Sequence, residues 1–238
     1  MLATLDDRYR PHLDHITFLQ GAGSTQIKLC LFSEPGKTQF FEKRPEADFL
    51  ALSSDMRWLR GSLHYTRSEE CGVAFNAREN NAPLGFSRVY FFDLISIEEI
   101  RKLRLRDVLI GGALSRVKAN LASASARNAL SGASKLLFAE KKAYKFLCWK
   151  EDNHLSDIVP VLHAAPAGTD RVVFSSMPYG EDFVDADKGA KAAILCVNKK
   201  MKSVLVKGEL IAKGVFRIEQ VIEGRTYEHS SSRTGNSV

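Results

Sequence analysis

Sustained helical periodicity is confined to the middle fifth of this chain, residues 96–146, and two longer strand-like stretches flank it. That layout predicts an α+β fold in which β-rich N-terminal (1–95) and C-terminal (147–229) parts flank a basic helical segment. Ser96-Ile-Glu-Glu99 has the spacing of a capping box, which starts a helix expected to reach about Leu109, although Lys102-Leu-Arg-Leu-Arg106 alternates like a strand and Gly111-Gly112 interrupts it. A second helix is expected over Ala113–Leu130, with Leu114, Val117, Leu121 and Ala124 on a core-facing stripe and Arg116, Asn120, Ser123 and Arg127 on another. After Ser131-Gly132 a third is expected over Ala133–Lys145.

The flanks alternate with the period of strands. In the first, Ile16–Leu19, Thr25–Phe32 and Thr38–Lys43 read as strands, the last two joined by a Pro35-Gly36 turn into a hairpin. Glu46–Met56 reads as a short helix, and Ser62–Thr66, Cys71–Asn76 and Ser87–Leu94 as further strands. In the second, Phe146–Trp149, Ile158–His163, Arg171–Ser175, Ala192–Val197, Ser203–Val206 and Val215–Val221 are strand candidates. Residues 230–238 are polar and apolar-poor, the composition of a disordered tail. No internal repeat is visible in the text.

With 238 residues and 26.5 kDa the chain can bury a real core as one generous domain or two small ones. The longest run without Lys, Arg, Asp or Glu, His15–Ile27, is 13 residues, and about 18 apolar ones are needed to cross a bilayer. No membrane partner is therefore expected. Asp6, Asp7, Arg8 and Arg10 stand where a secretory signal would be apolar, which points to a cytoplasmic protein. Cys30, Cys71, Cys148 and Cys196 lie too far apart for a zinc ribbon or a redox pair, and three of them sit in apolar runs, as buried thiols do.

Charge is distributed unevenly. Residues 96–146 hold 11 Lys and Arg against 4 Asp and Glu, whereas the flanks balance to −1 and 0, so the middle carries the whole excess of the +6 chain. A basic segment between neutral ones suits a phosphate backbone, because each neutralised phosphate releases condensed counterions. The leading expectation is a nucleic-acid-binding protein, for RNA or DNA, with Arg101, Lys102, Arg104, Arg106, Arg116, Lys118 and Arg127 on the backbone. Tyr144 could add stacking, while Trp149 suits core packing better. A solvated helical face is the plainer alternative.

The motifs that would mark other chemistry fail residue by residue. Gly36-Lys37-Thr38 lacks the first glycine of a phosphate loop, which would fall at Leu31. Gly21-Ala-Gly23 lacks the third glycine of a dinucleotide fingerprint, and Asp185-Ala-Asp187 opens a calcium loop that Ala190 and Cys196 do not complete. No cofactor is predicted; Glu181, Asp182, Asp185 and Asp187 form an acidic cluster that would suit magnesium if any metal is used. If the chain is an enzyme, a nuclease is the expected kind, of guide-RNA-processing or restriction type. The acid-x-Lys unit of metal nucleases is found at Glu140-Lys141-Lys142, in expected helix, so metal-free cleavage with His12, His15 or His64 as base is favoured over the acidic cluster. A small-molecule enzyme or interaction module that takes an acidic partner is the third alternative.

Overall fold

The computed structural model describes residues 1–31, 37–70, 88–121, 128–151, 154–176 and 188–224. It holds two antiparallel sheets instead of a helical segment set between β-rich parts, and among the described residues strands far outweigh helices. The first sheet runs β2(Pro11–Asp14), β1(Leu2–Leu5), β5(Glu46–Leu52), β6(Arg57–Glu70), β7(Arg88–Ile97), β4(Gln26–Leu31), β3(Ile16–Gly21), with β8(Arg101–Lys102) beside β6. The second runs β10(His154–Pro160), β9(Tyr144–Glu151), β13(Lys191–Val197), β14(Ser203–Ala212), β15(Val215–Glu223), β12(Arg171–Val173), β11(Ala165–Ala167). Three helices accompany them among the described residues: α1(Lys37–Lys43), α2(Leu105–Leu121) and α3(Gly132–Ala139).

The two sheets have one topology. Adding eight to each strand number of the first path gives the second. The register agrees as well, because residue n of the first half answers to residue n + 145 of the second. Leu2 lies opposite Phe49 as Leu147 lies opposite Ile194, Ala51 opposite Leu59 as Cys196 opposite Val204, and Gln20 opposite Lys28 as Ala165 opposite Val173. A longer connection between β6 and β7 lowers the offset to 124 for the last strand, so Leu63 opposite Leu94 matches Gly208 opposite Ile218.

Irregularities recur with the same offset. The β-bulge between Ser62 and Leu63 returns between Lys207 and Gly208. The β5–β6 turn holds Met56 at φ 65, and the β13–β14 turn holds Met201 at φ 60. Ser53 N–H donates to Arg57 O in one and Asn198 N–H to Lys202 O in the other. The chain is therefore an internal structural duplication, which corrects the expectation of no repeat. The halves meet reciprocally: β2 packs on β13 and β9 while β10 packs on β5 and β1, the pattern of an isologous interface made within one chain.

Both halves contribute to a shared core, with Ala3, Leu13, Leu50 and Trp58 from the first joining Phe146, Trp149, Ile194 and Phe216 from the second. A smaller core around Phe41, Tyr65, Tyr90 and Phe92 fills the first half alone. Across the shared interface Lys207, 2% exposed, donates to Asp6 at 2.9 Å. Trp149 packs in the core as expected, and Cys30, Cys148 and Cys196 are buried free thiols. Burial pushes the Cys196 thiol up to about 12. Cys71 and the expected strand Cys71–Asn76 lie outside the described residues.

Several local expectations are corrected. Thr38–Lys43 belongs to helix α1 and Glu46–Leu52 to central strand β5, because pairing on both sides overrides the helical propensity of Glu-Ala-Asp-Phe-Leu-Ala-Leu. Ser96 and Ile97 end strand β7 instead of capping a helix, since their backbone pairs with Ser62 and Gly61. Helix α2 begins at Leu105 and runs through Gly111-Gly112. Its inward residues are the small Gly111 and Ser115, where the absence of bulk lets the helix lie on β11 and β12; Leu114, Val117 and Leu121 face outward. Helix α3 stops at Ala139, and Tyr144–Glu151 forms strand β9. No described helix is long and apolar enough to cross a membrane.

Candidate anion-binding cleft

Helices α2 and α3 wall a cleft of about 520 Å³ over the corner that follows β10. Its apolar surface comes from Val108, Leu109, Phe138, Leu162 and Pro166, and its cations are Arg116, Lys141 and Lys145. Among the described residues no Asp or Glu lines it. Gly112, next to the small-residue face that seats α2, lines the cleft together with His163.

Lys145 is 3% exposed, and its ammonium donates to the carbonyl oxygens of Glu140 and Leu162, both at 3.3 Å. The Glu140 carboxylate accepts from Asn198 Nδ2 at 3.0 Å. Burial holds the Lys145 pKa below the ordinary lysine value. His163 is also buried; its Nε2 lies 2.8 Å from the Ser175 carbonyl oxygen and 3.1 Å from the Ser175 N–H, and burial lowers its pKa. The imidazole is therefore neutral at pH 7, and the positive charge of the cleft comes from the three long side chains. Apolar walls with a few convergent cations are what a small anion with an organic body requires.

The expected nucleic-acid contacts are dispersed. Arg101 and Lys102 are exposed on β8, where Arg101 pairs with Glu98 at 3.3 Å and lies 5.5 Å from the Trp58 ring centroid. Arg104 is exposed just before α2, and Arg106 is exposed beside Asp107 at 3.2 Å. Arg116 lines the cleft. Lys118 is half-buried and donates to Lys213 O at 2.7 Å, tying α2 to the β14–β15 turn; burial and Lys213 lower its pKa. Arg127 lies outside the described residues.

The expected catalytic histidines are not brought together. His12 is buried on β2 with Nε2 3.4 Å from Asp14, and His64 is exposed on β6, with two strands between it and β2. His15, just past β2, is half-buried, and burial lowers its pKa to about 4. Glu181, Asp182, Asp185 and Asp187 lie outside the described residues. Among the described residues no cluster of three His, Cys, Asp or Glu could hold a metal ion. Tyr144 lines a second, mostly apolar cavity of about 400 Å³ between the halves, with Met1, Leu52, Phe146 and Val197.

Lys145 and His163 had no place among the expected binding or catalytic residues. The available signal for Lys145 was a lone lysine within Ala143-Tyr-Lys-Phe-Leu147, where an apolar run marks a buried position.

No family model matches this chain, and no curated protein does. One solved structure is similar over part of it, an FMN-binding protein from Syntrophomonas wolfei subsp. wolfei. The likeness covers 43% of this chain and 77% of that one at 20% identity, with a TM-score of 0.34. At that level it decides neither fold nor ligand, and the site is argued from this chain's own residues.

Proposed function

We propose that this chain binds a phosphorylated organic anion in the cleft between α2, α3 and the corner after β10. The observation that carries this is a buried ammonium, Lys145, in a lining that holds Arg116 and Lys141 but, among the described residues, no carboxylate. Burial outweighs the favourable influence of nearby Glu140 on the Lys145 ammonium, and an incoming phosphate would add the countercharge that offsets this cost. Arg116 offers a planar fork for two phosphate oxygens, and Lys141 a point charge. The apolar residues opposite would cover the ligand's organic body.

Calorimetric titration with inorganic phosphate, adenosine monophosphate and flavin mononucleotide tests this. The organic phosphates are expected to bind more tightly than phosphate itself, and Lys145→Met to weaken them by at least about tenfold, the scale of one lost charge-assisted hydrogen bond. Because burial lowers the Lys145 pKa, affinity should begin to fall with rising pH before an ordinary lysine would deprotonate. Equal heats for wild type and Lys145→Met would end the proposal.

A second reading keeps a polyanion as the partner, supported by the exposure of Arg101, Lys102, Arg104, Arg106 and Arg116 along one stretch of chain. It expects RNA or DNA to bind with affinity falling linearly in log salt, and Arg106→Glu to weaken binding as much as Arg116→Glu. Under the cleft reading only Arg116→Glu matters.

A further inference from the structure

The outward face of α2 has a pattern that its own fold does not use. Ile110, Leu114, Val117 and Leu121 are 48%, 47%, 58% and 77% exposed, and they recur at i, i+4, i+7 and i+11. That is the d-a-d-a spacing of a coiled-coil seam, a narrow stripe about 60° wide at 100° per residue. Four large aliphatic side chains held on one ordered helix, whose other side is seated on β11 and β12, form an apolar patch with no covering element among the described residues.

We propose that this seam docks an acidic amphipathic helix of another protein. Charge complementarity selects that occupant. The seam is flanked by Arg106 on one side and Lys118 on the other, with Lys213 beside Lys118 and Arg104 just before the helix, and the helix's carboxylate, Asp107, is already beside Arg106. Acidic residues flanking the partner's apolar stripe would meet these cations, as flanking charges do when they choose partners in coiled coils. A second copy would bring the same cations against themselves. A membrane surface fits less well, because Arg106, Arg116 and Asn120 interrupt the exposed side between Leu105 and Leu109 and the seam, breaking the broad apolar face that insertion needs.

The seam stands apart from the anion cleft, since none of its four residues lines that cavity. The probe is a fluorescein-labelled peptide of three heptads, with Leu at a and d and Glu at e and g, whose self-pairing the glutamates oppose. Its anisotropy with the full chain should rise to saturation and weaken as salt increases. The same peptide with Lys at e and g should not bind. Val117→Glu and Leu121→Glu, both at exposed positions that fold without strain, should each reduce affinity at least about tenfold, while adenosine monophosphate binding in the cleft stays unchanged. Absence of peptide binding, or equal binding by the variants, would overturn the proposal. So would a wild-type dimer in sedimentation equilibrium that Val117→Glu converts to monomer, which assigns the seam to a second copy. Seam-dependent capture by phosphatidylglycerol vesicles would overturn it in favour of a lipid surface.

Discussion

The two halves share topology, register and even a bulge, yet the surfaces of their matched strands β3–β4 and β11–β12 differ. In the second half, helix α2 lies on β11 and β12, and Val173 is fully buried. In the first half no described helix covers β3 and β4, and the matched residue is Lys28, half-buried. Gln20 is exposed where Ala165 is half-buried, while Ile27 and Val172, matched on the opposite side of the strand, are both apolar. A pair of strands can thus keep its pairing and inner face while its outer face is rewritten to suit whatever lies on it. The intervening segment that supplies α2 and α3 also supplies Arg116 and Lys141, so the asymmetric cover and the cleft arise together.

The most severe way to break this comparison is to give the covered half the residue of the uncovered one. Val173→Lys would place an unpaired ammonium beneath α2, and a loss of about 4 kcal/mol is expected from urea unfolding, the scale of a buried unpaired charge. A loss under about 1 kcal/mol would mean that α2 moves aside at little cost and that the cover is not integral to the second half.

The next largest effect is expected at the join between the halves. Asp6 is opposed by burial, which works to raise its pKa, but hydrogen bonds from Lys207 and Arg10 outweigh that and hold it down at about 2. A carboxyl whose folded pKa is depressed stabilises the fold above its ordinary value near 4 and loses that contribution as pH falls toward 2. Lys207→Met should cost about 3 kcal/mol, because it leaves the Asp6 carboxylate short of a partner, and should flatten the stability profile between about pH 4 and 2. An unchanged acid limb in that variant would show that Arg10 alone holds Asp6.

How much of this was legible in the sequence differs element by element. The strands of the second half were, because Ala192–Val197 is an apolar run and Val215–Val221 partly alternates apolar with polar residues, both bounded by turn residues. The duplication was not, because a sheet requires burial at matched positions and seldom identity: Leu50 and Leu195 agree, but Phe49 faces Ile194 in the match and Thr4 faces Trp149. Identity survives where the backbone demands it, as at Gly23 and Gly168, both with positive φ. The longer β6–β7 connection then shifts the frame, so no single period spans the whole chain. Helix α2 was legible as helical sequence on either side of an expected break at Gly111-Gly112, which it runs through, and was misread in orientation. Its large residues were assigned to the core, whereas the close approach to β11 and β12 demanded its small ones.

A smaller loss is expected at a bulge that both halves possess. A Cβ on Gly208 would stand 1.9 Å from the Arg217 carbonyl oxygen, so Gly208→Ala must push the β14–β15 backbone apart. The expected cost is about 2 kcal/mol, in the range of overpacking a well-filled interior. The matched residue in the first half is Leu63, which the same bulge accommodates with its side chain in the core. Leu63→Gly would lose burial instead of relieving strain, so the two exchanges should both destabilise although each makes one half resemble the other.

The smallest effect is expected from the reverse of the first exchange. Lys28→Val gives the uncovered half the residue of the covered one, on a strand that keeps Gln26 on the same side. Valine has the higher strand propensity, the interaction a lysine makes at a half-buried surface position is worth little, and the change should lie within about 0.5 kcal/mol of zero in urea unfolding. The contrast with Val173→Lys, about 4 kcal/mol at the matched position, is the measurable signature of a surface decided by its cover and not by its strand. A cost above about 1.5 kcal/mol for Lys28→Val would instead mean that the first half depends on the contact Lys28 makes. The polar outer face would then be a requirement of that half's own packing, and its difference from Val173 would owe nothing to helix α2.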